Sequence, residues 1–182
     1  MMKKTALKKE RATRMYLAGS ITLWKKEFEA TYSPLFKKHI SLFEPGKMNI
    51  PHDHRKIRSI VAKTDVREIR KSDAVLVYMK EYTPEKHSGP VGTDSSWECG
   101  FAYGLKKPII ALIDSIDQVE YYTHQWMVTY HIDCFVTTEK KIYSLLKKDQ
   151  HFKNSSILFS SETNHLEKLI YEFVKKKKRS ID

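Results

Sequence analysis

Ala74-Val75-Leu76-Val77-Tyr78-Met79 is the most hydrophobic run in the chain, and its reading decides the fold. Six apolar residues with no polar alternation describe a strand covered on both faces, which belongs at the centre of a parallel sheet. Working outward, strands and helical stripes alternate. Upstream, Met15-Tyr16-Leu17-Ala18-Gly19 reads as a short buried strand closed by Gly19-Ser20, and residues 22–38 read as a helix. Ile40-Ser41-Leu42-Phe43 is a second strand, stopped by Pro45-Gly46. Residues 54–71 follow as a basic amphipathic helix with Ile57, Ile60, Val61 and Ile69 spaced for burial. Downstream, a loop over 80–94 containing Pro84, Gly89, Pro90 and Gly92 leads into a helix at 95–106. Pro108 to Ile113 form a fourth strand, 117–129 an aromatic-rich and partly helical segment, and Ile132 to Val136 a fifth strand. Helices are expected at 138–148 and 162–177.

This alternation predicts a single α/β domain of the flavodoxin or Rossmann-like kind. Its five parallel strands take the order 2-1-3-4-5, with helices on both faces. In that order strands one and three are neighbours and the chain reverses between them, leaving a crevice at their carboxyl ends. The segments delivered there are Gly19-Ser20 and the 80–98 loop.

The chain has 182 residues, 41% of them hydrophobic, with ten Tyr and eight Phe. That composition supports one packed domain and excludes a disordered chain. No apolar run approaches the roughly 18 residues of a membrane span, so no membrane partner is expected. Cys99 and Cys134 lie in apolar segments without CxxC spacing, which reads as buried free thiols in a reducing cytoplasm. The net charge of +11 is concentrated at the ends: residues 1–14 hold six basic side chains and residues 175–182 hold five. The domain between them, 15–174, keeps 22 of the 33 basic and 20 of the 22 acidic groups. The two ends therefore read as solvated basic tails. Without aromatic interleaving or a recognition motif they do not amount to a nucleic-acid footprint.

Gly92-Thr93-Asp94-Ser95-Ser96-Trp97-Glu98-Cys99-Gly100 carries the chemistry. It places Glu98 in the first turn of a helix at the crevice, where unpaired N–H groups and the helix dipole favour an ionised carboxylate. Ser95-x-x-Glu98 is equally a capping box, in which both side chains serve backbone N–H groups. Trp97, Phe101 and Leu105 are expected to face the core, with Gly100 and Gly104 letting the helix approach the sheet. The 80–94 loop exceeds the roughly 12 residues beyond which a connection is usually functional. Trp126, Met127 and Tyr130 either wall a base-binding pocket or pack the sheet edge. His52-x-His54 is a loop cluster without metal-ligand spacing, and HExxH, Walker A, GxGxxG and GxSxG are all absent. No metal or cofactor is called for.

Tyr16-Leu17-Ala18-Gly19-Ser20, Lys71-Ser72-Asp73 before an apolar strand, Gly92-Thr93 leading to Trp97-Glu98-x-Gly100-x-Ala102, and Lys107-Pro108-Ile109-Ile110 together resemble the nucleoside 2-deoxyribosyltransferases and the related nucleotide N-glycosidases. The likeness spans about residues 15–148. It implies that Glu98 attacks C1′ of a 2′-deoxynucleoside, expels the base and forms a deoxyribosyl ester, which a second base or water then intercepts with net retention. It also implies a carboxylate as general acid, matched to Asp73, and a sugar or nucleophile contact matched to Tyr16. The transferases carry an aspartate six residues before the glutamate. Here that position is Gly92, and either Asp94 serves after a local loop shift or the duty is unfilled. In the monophosphate-cleaving relatives small hydroxyl residues receive a phosphate, a role open to Ser20, Thr93, Ser95 and Ser96. The binding set is thus Tyr16, Gly19, Ser20, Gly92, Thr93 and Ser95. The resemblance further implies a homo-oligomer built on dimers, with a nucleoside or nucleotide substrate and a nucleobase acceptor. The Lys-rich segment 175–182 departs from the transferase pattern in which a neighbour's terminus completes the pocket. Base transfer, hydrolysis and a non-catalytic nucleotide sensor all remain compatible with these residues.

Overall fold

The computed structural model describes residues 11–19, 25–48, 54–79 and 93–180. The elements run β1 (Thr13–Gly19), α1 (Lys25–Thr31), β2 (Ile40–Phe43), α2 (His54–Lys71), β3 (Ala74–Tyr78), α3 (Thr93–Gly104) and β4 (Ile109–Leu112). They continue through α4 (Ile116–His124), α5 (Trp126–His131), β5 (Cys134–Thr137), α6 (Lys140–Lys148), β6 (Ser156–Phe159) and α7 (Leu166–Arg179). All strand pairs are parallel, in the order β2-β1-β3-β4-β5-β6. The expected order is therefore right as far as it goes, and a sixth strand extends it. Ser156-Ile157-Leu158-Phe159 is short, forms an edge and buries only Ile157 fully, so neither alternation nor a long apolar run announces it.

β3 is central and buried throughout, as its composition requires. Successive residues point to opposite faces and feed two cores. On one face Val75 and Val77 of β3, with Tyr16 and Ala18 of β1, meet Ile69 of α2 and Cys99 and Ala102 of α3. On the other, Ala74, Leu76 and Tyr78 meet Phe28 of α1 and Ile170 and Val174 of α7. Both cysteines are free and buried, as expected. Gly19 is required by β3, because a Cβ there would sit 2.3 Å from the Tyr78 carbonyl oxygen. The helix expected over 22–38 is shorter: after Thr31 the chain tightens into a 3-10 turn over Ser33–Leu35. There Pro34 can neither donate to a continuing α-helix nor avoid its preceding carbonyl.

Two expectations about α3 are overturned. Trp97 and Leu105 are 50% and 39% exposed rather than core-facing, whereas Phe101, half-buried, packs against the core as expected and stacks on Trp97 at 5.2 Å. Gly100 and Gly104 have open space where a side chain would go, so they are not the close-packing residues. The buried stripe is Ser95, Glu98, Cys99 and Ala102, at i, i+3, i+4 and i+7. Small residues bring the helix against β1 and β3, and a Trp there would force it off. On α2, Ile60 is likewise 39% exposed instead of buried.

Of the expected basic tails, residues 1–10 and 181–182 lie outside the described residues, while 13–14 and 175–179 are built into elements. β1 begins at Thr13, inside the presumed N-terminal tail, and α7 runs five residues past 174 to Arg179. Its lysines act at the amino edge of the sheet. Asp73 precedes β3 and accepts the Arg14 N–H of β1 (2.8 Å) and the Lys178 ammonium. Asp133 precedes β5 and accepts the Ile109 N–H of β4 (3.0 Å) and the Lys177 ammonium (2.8 Å). Each aspartate thus closes a strand start and ties it to the C-terminal helix. Glu167, in the first turn of α7, accepts the N–H groups of Lys38, His39 and Ile40 at 2.7–2.9 Å. No helix among the described residues is long and apolar enough to cross a membrane.

Candidate active site

β1 lies between β2 and β3, so the chain reverses at its carboxyl end and opens the crevice expected of this topology. Strand alternation turns Tyr16 toward the α2 and α3 side, where its ring stacks on Phe43 with centroids 5.8 Å apart. The Tyr16 hydroxyl donates to Glu98 Oε1, and both side chains are almost completely buried. The structure therefore joins two expected residues, Tyr16 and Glu98, from elements 82 positions apart in sequence.

A third group was not anticipated. Asp65 of α2 faces the same tyrosine hydroxyl and is 9% exposed, yet its Oδ1 atom is buried without a hydrogen-bond partner among the described residues. Buried carboxylate oxygens are normally satisfied, so this one is open to a partner outside the described residues, to water or to a ligand. A signal was available in the sequence. Ile57, Val61, Asp65 and Ile69 recur every four residues along one stripe of α2, and an acid in that apolar row is out of place unless it has work there.

Glu98 was expected to be ionised by a helix terminus. Instead α3 starts at Thr93, which puts Glu98 in the second turn, beyond the first-turn reach of the dipole. Burial dominates and pushes its carboxyl up from an ordinary 4.5 to about 8; the Tyr16 hydrogen bond opposes this, while Asp65 and Asp94 reinforce it. Burial likewise raises Asp65, with Tyr16 opposing and Asp94 adding. Tyr16 is held far above the usual phenol range, first by burial and then by Glu98, so it stays a neutral donor. Neighbouring carboxylates in a poorly solvated site cannot all carry charge, and they titrate as a coupled set.

The remaining expected residues divide. Asp94 lies exposed in the first turn of α3, close enough to act electrostatically on Glu98 and Asp65. Ser95 is buried on the same stripe as Glu98, inside the helix rather than at its cap. Gly19 ends β1 at the crevice, and Thr93 opens α3, its side chain outside the described residues. Ser20 and Gly92 also lie outside the described residues. Asp73 is a correction. It sits at the amino end of β3, the far end of the strand from the crevice, with one oxygen on a β1 amide and the other on Lys178. An acid so engaged, at the wrong end of the strand, has no path to a departing base. Among the described residues no acid, histidine and cysteine group is arranged to hold a metal ion. Met127 and Tyr130 are 57% and 70% exposed, so they do not pack the sheet edge, and the Tyr130 ring lies against Tyr103 and His131; the Trp126 side chain lies outside the described residues.

A family model for nucleoside 2-deoxyribosyltransferases matches residues 15–169, which covers β1, α2, α3 and the Tyr16–Asp65–Glu98 cluster. The chain belongs to that family. Among solved structures it is similar to a 2-deoxyribosyltransferase from the psychrotolerant bacterium Bacillus psychrosaccharolyticus. Identity is 18%, over 68% of this chain and 85% of that one, with a TM-score of 0.47. So distant a likeness carries no argument about activity. No curated protein matches the chain.

The raised Glu98 carboxyl has a consequence for stability. A group bound to its proton more tightly in the folded state adds stability that is complete below its unfolded value. That stability is lost as pH rises through the folded value. For Glu98 the window runs from 4.5 to about 8. Glu98→Gln, neutral at every pH, should therefore gain on the parent as pH rises through that window, by up to about 5 kcal/mol. Urea unfolding at acid and alkaline pH measures this; parallel pH profiles for the two proteins would show that Glu98 is not buried as described.

Proposed function

We propose that this protein transfers 2-deoxyribose between nucleobases, with Glu98 as the nucleophile. The observation that carries the reading is the Tyr16–Glu98 pair, buried beside an Asp65 oxygen that has no hydrogen-bond partner among the described residues. Membership of a family of nucleoside 2-deoxyribosyltransferases supports it. The reacting form has Glu98 ionised and Asp65 protonated, so the Glu98 carboxyl, raised to about 8 by burial, must first lose its proton. Tyr16 then donates to Oε1 and leaves the other carboxylate oxygen to attack C1′ of a bound 2′-deoxynucleoside. As the C1′–N bond breaks, the sugar takes on oxocarbenium character. A poorly solvated anion held by a neutral donor stabilises that positive charge more than water would.

The departing base needs a proton. Asp65 is the group placed to give it, because burial and Asp94 both favour its protonated form. In the second half-reaction the nitrogen of an acceptor base attacks C1′, the ester C–O bond breaks and the acceptor's proton passes to the Asp65 carboxylate. Two inversions leave the anomeric configuration unchanged. Asp94, Gly19, Ser20, Gly92, Thr93 and Ser95 are assigned to the walls that hold sugar and base. Water in place of the acceptor turns the same intermediate into hydrolysis of a deoxynucleoside or its 5′-monophosphate. Free sugar formed at a rate indifferent to added base would select that reaction instead of transfer.

We also assign the working form to a dimer-based oligomer. α3 and α5 expose Trp97, Tyr103, Met127 and Tyr130, and neither helix contains a Lys or Arg. In a chain of net charge +11 a largely apolar face whose helices bring only the Asp94 carboxylate as an exposed charge is where two copies can meet with little repulsion.

Glu98→Ala should lower base exchange by at least about a thousandfold with the fold intact, and Asp65→Asn by about a hundredfold, with a smaller loss for substrates whose base leaves without a proton. Chromatographic assay of base exchange measures both; wild-type turnover by Glu98→Ala would refute the mechanism. Tyr130→Glu should shift the sedimentation coefficient to that of a monomer, and an unchanged coefficient would remove the α3/α5 face from the interface.

A further inference from the structure

Among the described residues the sheet ends on β6, which bonds to β5 alone. In a parallel pair, successive residues turn their N–H and C=O groups to opposite edges. Ser156 and Ser160 donate to the Asp133 and Thr137 carbonyls at 2.9 and 3.2 Å, on the β5 side. Ile157 and Phe159 therefore present their backbone groups outward. The opposite side of the sheet is managed differently, since Glu167 takes up the N–H groups leading into β2.

Between β6 and the last turns of α7 runs a groove of about 450 Å³. Leu158, Leu169 and Phe173 line it with apolar surface, and Glu172, Lys176 and Lys177 bring charge. Glu172 is answered by Lys168 at 3.9 Å, and Lys177 by Asp133 at 2.8 Å. Lys176 is exposed, with no partner found among the described residues, and Lys178 and Arg179 continue the positive helix end.

We propose that this edge receives an extended segment of an acidic partner protein, added beside β6 as a seventh strand. Three features select that occupant. Open backbone groups on an edge strand provide main-chain pairing, and the apolar groove provides pockets for alternate side chains. Four residues at about 3.3 Å each span roughly 13 Å, long enough for a partner carboxylate to reach Lys176 while its neighbours fill the groove. A second copy of this chain would bring the same cationic helix end to its own image and be repelled. A nucleic acid would meet Glu172 and an aliphatic lining without a row of stacking aromatics. The proposal is independent of the glycosidic chemistry.

The test uses the full chain and a short fluorescent peptide alternating valine with glutamate, with its lysine counterpart and a short DNA duplex as comparisons. The glutamate peptide should bind with micromolar affinity that weakens with salt, and should slow hydrogen exchange at the Ile157 and Phe159 amides. Lys176→Glu, an exposed change, should weaken binding about tenfold. Lys176→Gln should give a smaller loss and serves as the check if the first variant folds poorly. No binding, equal binding of the lysine peptide, an affinity indifferent to both variants, or preferential binding of the duplex would each overturn the proposal.

Discussion

A tyrosine hydroxyl given to a glutamate on the dry side of a parallel sheet is the contact on which the rest of the site depends. It exists because α3 packs its small residues against β1. Ser95, Cys99 and Ala102 flank Glu98 on the buried stripe of α3, and no larger side chain intervenes. The larger residues of that helix, Trp97, Tyr103 and Leu105, are turned to the outside. The stripe thus spends its one large polar position on a carboxylate that gains little solvation. Most of that loss is not recovered by Tyr16, which is why burial still outweighs the hydrogen bond in the Glu98 carboxyl.

The two ends of the sheet use acids in opposite ways. At the amino end Asp73, Asp133 and Glu68 are matched to backbone N–H groups or to lysine and arginine, and they fasten strands and helices together. Those cations hold Glu68 below the usual carboxylate range against the pull of burial. At the carboxyl end no cation contributes to the environment of Glu98 or Asp65 among the described residues, and both are raised. Paired acids stabilise a fold, whereas unpaired buried acids cost stability and are retained where a ligand or a developing positive charge answers them. The separation explains how a strongly basic chain keeps an acidic cleft.

Much of this was legible in the residues. β3 needed only its unbroken apolar composition, and β2 was readable between Lys38 and Pro45 because turn residues bracket it. The order of the first five strands followed from alternation and handedness, which leave few topologies open. β6 escaped because an edge strand of four residues carries too little pattern. Glu98 and Tyr16 were found as separate residues, and their contact depends on a packing distance that spacing does not encode. Asp73 was misassigned by its position before an apolar strand. Chain order already put Asp73 at the amino end of β3, away from a crevice at the carboxyl ends, but the match to the family pattern was followed instead. The i+4 stripe containing Asp65 could have redirected the choice. Trp97 and Leu105 of α3 were misread because a helix can bury its small residues and expose its large ones when the close approach itself is what the site needs.

Mass spectrometry of the acid-quenched protein after mixing with a 2′-deoxynucleoside tests the central claim most directly. The account predicts a mass increase of one deoxyribosyl residue, located by fragmentation on Glu98 and discharged when an acceptor base is added. Base release with no adduct under rapid quenching, or an adduct on another side chain, would contradict it.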